Sequence, residues 1–85
     1  MVQPQSSLTM GNAVPALEAG LAAIAAGQTE MDLSGLVQVD SAAVATLLAW
    51  QRAAHARGMR MRFTHLPATL QSLVHLYGVH DFLIA

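Results

Sequence analysis

Segments with helical apolar spacing alternate along the chain with shorter segments that alternate apolar and polar residues. The predicted helices are 14–26, 41–57 and 67–77, and the glycines that end them are Gly27, Gly58 and Gly78. The predicted strands are 7–10, 29–34 and 59–64. Alternating strands and helices form a sheet covered by helices, with right-handed crossovers between parallel neighbours. The sequence therefore predicts an α/β fold with a small, mostly parallel or mixed sheet and about three helices.

The length of 85 residues fits one small domain. Residues 1–7 are polar and contain Pro4, so we expect a loose lead-in followed by a single domain at 8–85. The tail 79–85 contains Phe82, Leu83 and Ile84, which predicts a short final strand or a turn.

The charge of the chain excludes several classes of function. Charged residues make up only 11% of the chain against 54% hydrophobic residues, and the net charge is -1. A chain without a basic field is a poor candidate for nucleic-acid binding. We expect no insertion into a membrane, since no stretch is long and apolar enough, and the N-terminus does not resemble a signal peptide. Without cysteine, a cytoplasmic location is the simplest interpretation. Such a weakly charged surface favours coverage by a partner.

One motif resembles a known family. Asp32-Leu33-Ser34 ends a predicted strand, Gly35 follows in the loop, and Asp40-Ser41 then leads into a helix with a Leu-Leu pair. This pattern resembles a STAS domain over roughly residues 8–84, and its short form is similar to the small STAS subunits of Mla-type phospholipid-trafficking ABC transporters. The segment before the first helix has room for one strand only, so the domain is abbreviated at its N-terminus. The sheet edge left open there favours pairing with a second copy.

The resemblance implies two alternative functions, neither of them enzymatic and neither requiring a cofactor. In the first, the chain is an accessory subunit that binds the cytoplasmic ATPase of a phospholipid-transport ABC system, at the inner face of the membrane. In the second, it is an anti-sigma-factor antagonist that binds an anti-sigma kinase and is switched by phosphorylation of Ser41. A small hydrolase or transferase is disfavoured, because no complete catalytic set is recognisable.

The resemblance also implies a partner-binding surface around the start of the second helix. Its members are Asp40, Ser41, Ala43, Val44 and Trp50. A phosphate on Ser41 would meet the partial positive charge of a helix N-terminus. The alternative interpretation is that Asp40 or Ser41 simply caps this helix. Ala43 stands where many family members have glycine.

Trp50 lies about 60° around the helix from Leu47, at the border of the apolar stripe. That position predicts a side chain that need not be fully buried. Tryptophan is enriched at interface hot spots, so contact with a partner and a place at the edge of the core are both open.

The remaining polar residues predict no catalytic or metal site. Asp32 and Asp40 flank one loop, but we expect no histidine or lysine nearby to complete an acid/base pair. Four histidines, with spacings of 10, 10 and 5, match no local zinc pattern and are predicted to be scattered. They are His55, His65, His75 and His80. The arginines around the end of the second helix are predicted to form a solvated face.

Overall fold

The computed structural model describes residues 7–84, so residues 1–6 of the predicted lead-in lie outside the described residues. Four strands and four helices follow one another within this part of the chain. The strands are β1 (Ser7–Leu8), β2 (Glu30–Asp32), β3 (Gln38–Val39) and β4 (Arg62–Thr64). The helices are α1 (Ala13–Ala25), α2 (Ser41–Ala56), α3 (Ala68–Leu76) and α4 (His80–Ile84). The α/β prediction is confirmed, although Ser7 belongs to a strand and not to the lead-in.

The strands form two parallel pairs. β1 pairs with β3, with Leu8 opposite Val39. β2 pairs with β4, with Met31 opposite Phe63. Because each pair is parallel, the carboxyl ends of its two strands lie side by side, where Asp32 is the last residue of β2 and Asp40 follows β3.

The strand alternation correctly predicted which side chains face the core. Met31, Leu33, Met61 and Phe63 are all buried. The wider core joins these strands to β1 and to one side of each of the four helices. Its residues are Leu8, Ile24, Met31, Leu33, Leu36, Ala43, Val44, Leu47, Trp50, Ala54, Met61, Phe63, Leu70, Val74 and Leu83.

β4 begins later than predicted because the Gln51 side chain forms hydrogen bonds with both backbone polar groups of Met61. The Gln51 amide donates to the Met61 carbonyl at 2.9 Å, and the Met61 N–H donates to the Gln51 side-chain oxygen at 2.8 Å. Both backbone groups of Met61 therefore have a partner from α2, and the ladder begins only at Arg62. The next backbone amide, from Arg62, donates to the Thr29 carbonyl at 2.7 Å.

The prediction of a strand or turn at the tail is wrong, because residues 80–84 form α4. Gly78 has φ of 70°, which reverses the chain after α3. The Leu83 N–H then donates to the Val79 carbonyl at 3.1 Å. Val79 and Leu83 thus lie on one helical face, which carries Leu83 into the core with 1% exposure.

The apolar stripe of α1 also differs from its prediction. Ile24 is buried, but Val14 and Leu21 are exposed. The other buried residue of α1 is Gly20, where an added Cβ would overlap the indole of Trp50. Close packing of α1 on α2 therefore depends on a glycine, which apolar spacing does not register.

Candidate partner-docking site

Asp40 joins the ends of β1 and β3 to the start of α2. Its Oδ1 accepts the Ala42 N–H at 2.8 Å, which caps the helix. Its Oδ2 accepts the Met10 N–H at 3.1 Å, just after β1. The capping residue is therefore Asp40, and Ser41 is the first residue of the helix.

Ser41 is exposed beside an apolar depression between α2 and α3. The depression has a volume of about 300 Å³. It is lined by Ser41, Val44, Ala45, Leu48 and Tyr77. Tyr77, at the end of α3, is 51% exposed and forms the outer wall.

A second depression lies between α1 and α2, on the other side of Ala45, with a volume of about 180 Å³. Its lining residues are Ala13, Val14, Leu17, Ala42, Ala45, Thr46 and Ala49. Since both depressions include Ala45, they form one continuous surface, which we call the docking face and define by Val14, Ser41, Ala45, Leu48 and Tyr77. No residue that lines either depression carries a charge.

The structure divides the predicted partner-binding residues into two groups. Ser41 and Val44 line the docking face, and Val44 is only 3% exposed, while Asp40 directly precedes Ser41 in the chain. Ala43 is fully buried in the core. A partner on this face would touch Ser41 directly and rest on Val44.

Of the two alternatives left open for Trp50, the structure favours a place in the core over contact with a partner. The side chain is 1% exposed, and its Nε1–H donates to the Leu17 carbonyl at 3.1 Å. Gly20 leaves room for the indole ring against α1. Trp50 therefore holds α1 against α2 and is not available to a partner. The glycine in the middle of α1 was the signal for this contact, because glycine is unfavourable in a helix interior.

The predicted motif residues at the end of β2 form a polar site separate from the docking face. Asp32 Oδ1 accepts the Ser34 N–H at 2.9 Å, and it lies 3.4 Å from His65 Nδ1 at the end of β4. The hydrogen bonds from Ser34 are the main cause that lowers the pKa of Asp32, and His65 lowers it further. The expectation of no histidine near this carboxylate is therefore wrong. Gly35 lies half-buried in the following turn.

The prediction of scattered histidines is also wrong for three of the four. His65 and His80 line one cavity, and His75 stacks on His80 with ring centroids 4.5 Å apart. His55 lies apart on α2, with its ring edge against Phe82. Within residues 7–84, no three histidine, cysteine, aspartate or glutamate side chains are grouped as metal ligands.

The charged and apolar surfaces add two further observations. On the outer side of the β2–β4 pair, Arg62 lies 3.4 Å from Glu30, so one predicted surface arginine forms an ion pair. None of the helices that the structure describes combines the length and apolar character needed to span a membrane.

The structure is therefore a small α/β domain with an open, uncharged face beside the start of a helix. A family model described as "Mlab, STAS domain" matches residues 4–85. The chain therefore belongs to the STAS domain family, in its MlaB-like group. Domains of this family generally have accessory or regulatory roles, bind other proteins and are not enzymes. No curated protein matches the chain.

Proposed function

We propose that the chain is a non-enzymatic accessory subunit that binds the cytoplasmic ATPase of an Mla-type phospholipid-transport ABC system. The observation that supports this most is the docking face, which is concave, uncharged and adjacent to the Asp40-Ser41 motif. The family match supports the same assignment, since its description names the Mla type. The subunit would be held at the inner face of the membrane by its partner.

Small residues at the centre of the docking face allow close approach of a partner. Ala42, Ala45 and Ala49 line the second depression, and Ala45 also lines the first. Leu48 and Tyr77 provide apolar area on one side, and Val14, which is 67% exposed, provides it on the other. Two apolar side chains of a partner, one in each depression, would lose their contact with water without leaving a charge unpaired.

The test is co-expression of the chain with the ABC-type ATPase subunit encoded nearest its gene, followed by affinity purification. Ala45→Arg places a positive charge at the centre of the docking face. A partner that covers the face would bury this charge, and no lining residue carries an opposite charge to pair with it. Ala19→Arg is the matched control, because Ala19 is exposed on α1 and does not line either depression. We expect Ala19→Arg to co-purify with the ATPase as the original chain does, and Ala45→Arg to lose at least tenfold in affinity.

Two results would contradict this proposal. One is the absence of a complex between the original chain and the ATPase when both are folded and present at micromolar concentration. The other is equal binding by Ala45→Arg and Ala19→Arg, which would place the interface elsewhere.

Size-exclusion chromatography of the free chain also tests the predicted pairing through the open sheet edge, since a dimer would elute at twice the monomer mass.

The position of Ser41 favours a second candidate, an anti-sigma-factor antagonist switched by phosphorylation. Because Asp40 caps α2, the Ser41 hydroxyl is not required for the cap and is exposed to a kinase. A phosphate there would be stabilised by the partial positive charge of the helix N-terminus and destabilised by repulsion from the neighbouring Asp40 carboxylate. We expect an anti-sigma kinase partner to phosphorylate the chain but not Ser41→Ala.

Ser41→Glu separates the two candidates when it is compared with Ser72→Glu, an exposed site on α3. Release of a kinase partner by Ser41→Glu alone supports the antagonist. Loss of ATPase binding in Ser41→Glu alone, with no phosphorylation of Ser41 in the original chain, supports the accessory subunit. Unchanged binding of both partners by Ser41→Glu would exclude Ser41 from the interface.

A further inference from the structure

One arginine lies on the exposed side of α2, just beyond the docking face. Arg52 is the only aspartate, glutamate, lysine or arginine in α2, and it is exposed. It follows Ala45 by seven residues and Leu48 by four, so it lies on the same side of the helix as they do. Seven residues correspond to about 10.5 Å along the helix axis. The exposed side of α2 is therefore uncharged for about three turns from Ser41 and then carries one positive charge.

The chain itself does not pair this charge. Arg62 lies 3.4 Å from Glu30, and the Arg57 guanidinium donates to a backbone carbonyl of α1 at 3.4 Å. Arg52 differs, because no acidic group within residues 7–84 lies within ion-pair distance of it. Glu18, the acidic residue of α1, is exposed and forms no ion pair with Arg52 either. A carboxylate for Arg52 must therefore come from another molecule.

A partner on the docking face would also cover Arg52. Specific protein interfaces bury about 800 Å² on each partner, which is a patch with a radius of roughly 15 Å. The centre of the docking face is Ala45, the residue that both depressions share. Arg52 lies about 10.5 Å from this centre along α2, so a partner of ordinary size would remove water from its guanidinium. Loss of that water costs free energy unless an opposite charge takes its place.

We propose that the partner segment on the docking face has two apolar side chains and one carboxylate, and that the carboxylate pairs with Arg52. The proposal rests on the proposed binding of the ATPase. The apolar side chains enter the depressions on the two sides of Ala45, and the carboxylate lies about 10 Å away along α2. Arginine suits this position, because its guanidinium forms two parallel hydrogen bonds with a carboxylate.

A partner helix that lies along α2 has the spacing that these three contacts require. Side chains three or four residues apart point to the two sides of the line of contact between two helices, so two of them reach the two depressions. A residue seven positions from the first apolar side chain lies about 10.5 Å along the partner helix, which places it over Arg52. The segment therefore carries its aspartate or glutamate one heptad from an apolar residue.

The pairing with Arg52 makes binding dependent on salt. Charges at the border of an interface contribute to affinity through electrostatic attraction, which dissolved salt screens. Contacts of uncharged side chains in the two depressions do not have this dependence. We therefore expect the complex to weaken as the concentration of NaCl rises, and Arg52→Gln to remove most of that change.

The test measures the dissociation constant of the full chain and the ABC-type ATPase subunit by biolayer interferometry. We expect Arg52→Glu to weaken binding at least tenfold at about 50 mM NaCl, and by a smaller factor at about 500 mM. Arg62→Glu is the matched control, because it changes the net charge equally and Arg62 lies on the β2–β4 pair. It should bind within twofold of the original chain. Equal affinity of the two variants, both folded by circular dichroism, would overturn the proposal.

A charge swap then identifies the carboxylate of the partner. Each exposed aspartate and glutamate of the ATPase is replaced in turn by arginine and tested against Arg52→Glu. We expect one replacement to restore affinity at least fivefold, and the absence of any such replacement would overturn the proposal.

The same measurements separate this proposal from the function on which it rests. If Ala45→Arg loses the ATPase while Arg52→Glu keeps it, the docking face is correct and the carboxylate is wrong. If the original chain forms no complex with the ATPase, both proposals are wrong. A dimer of the free chain that Ala45→Arg dissociates would show that a second copy covers the docking face, which would overturn the proposal as well.

Discussion

The two sides of α2 differ in composition and have opposite roles. The outer side presents Ser41, Ala45 and Leu48 around two open depressions. The inner side carries Trp50 and Gln51, both of them essentially inaccessible. Each of these two buried side chains is bound to the backbone of another element, at Leu17 in α1 and at Met61 before β4.

The difference shows how a polar or amphipathic side chain comes to be buried. A buried N–H or amide is tolerated when it has a hydrogen-bond partner, and leaving it unpaired is costly. Trp50 and Gln51 have such partners, so their burial stabilises the packing of three elements. The outer side has small uncharged residues instead, and its area remains available to another protein. Predictions about α2 can therefore test each side separately.

The largest effect is expected from Trp50→Ala, which removes the indole between α1 and α2. Truncation of a buried tryptophan costs about 3 to 5 kcal/mol, because the cavity left behind closes only in part. That is a large fraction of the 5 to 15 kcal/mol that stabilises a typical domain. Urea denaturation followed by circular dichroism measures the change.

Ala45→Arg on the outer side is the matched comparison for Trp50→Ala. An exposed substitution away from packed features changes stability by less than about 0.5 kcal/mol. The contrast between the two sides of α2 would be lost if Trp50→Ala unfolded at the same urea concentration as Ala45→Arg.

The second prediction concerns Gln51→Leu, which keeps the approximate volume but removes both hydrogen bonds to Met61. Two buried backbone groups of Met61 would then lack partners, at about 1 to 3 kcal/mol for each such group. We expect a loss of about 2 kcal/mol or more, together with faster hydrogen exchange of the Met61 amide. Stability within 0.5 kcal/mol of the original chain would show that water or a neighbouring group replaces the amide.

Local spacing was sufficient to predict most of the fold. Strand alternation placed Met31 and Phe63 in the core, because a period of two puts every second side chain on one face. The glycines after the helices were correctly predicted as well, with left-handed φ of 93° at Gly27 and 71° at Gly58. The Asp40-Ser41 motif predicted the start of α2 and left open which of the two residues caps it, and the structure shows that Asp40 does.

The errors concern contacts between distant parts of the chain. Asp32 and His65 meet because β2 and β4 pair in parallel, and neither residue reveals that pairing by its neighbours in sequence. The helical angle of Trp50 left its burial open, because the angle contains no information about the packing of Gly20 against the indole. Helical spacing gives the direction of a side chain, and only the tertiary packing decides what covers it.

The third prediction is a smaller effect at the start of α2, from Asp40→Ala. The substitution removes the cap on the Ala42 N–H and the link to the Met10 N–H. Loss of an aspartate cap costs about 0.5 to 2 kcal/mol. Because the first turn of α2 also carries Ser41, we expect weaker docking of the partner as well as lower stability.

Asp40→Asn is the control for this position, since asparagine caps a helix almost as well as aspartate. Thermal unfolding and partner titration of both variants measure the two effects. If Asp40→Ala binds the partner with full affinity despite the lost cap, docking on the outer side of α2 does not depend on an ordered first turn.

The smallest effect is expected at Asp32, which has the same backbone contact as Asp40 but begins a turn and not a helix. The hydrogen bonds from Ser34 lower the pKa of Asp32 in the folded chain below its ordinary value. A carboxylate with a lowered pKa contributes stability that is complete above its unfolded value and is lost as the pH falls through its folded value. Asp32→Asn should therefore destabilise the domain slightly at pH 6, and the difference should shrink as the pH falls from about 4 to 2. Urea midpoints of the original chain and of Asp32→Asn across that pH range measure the difference in stability. A difference that grows towards low pH would contradict the prediction that the ionised Asp32 carboxylate stabilises the fold.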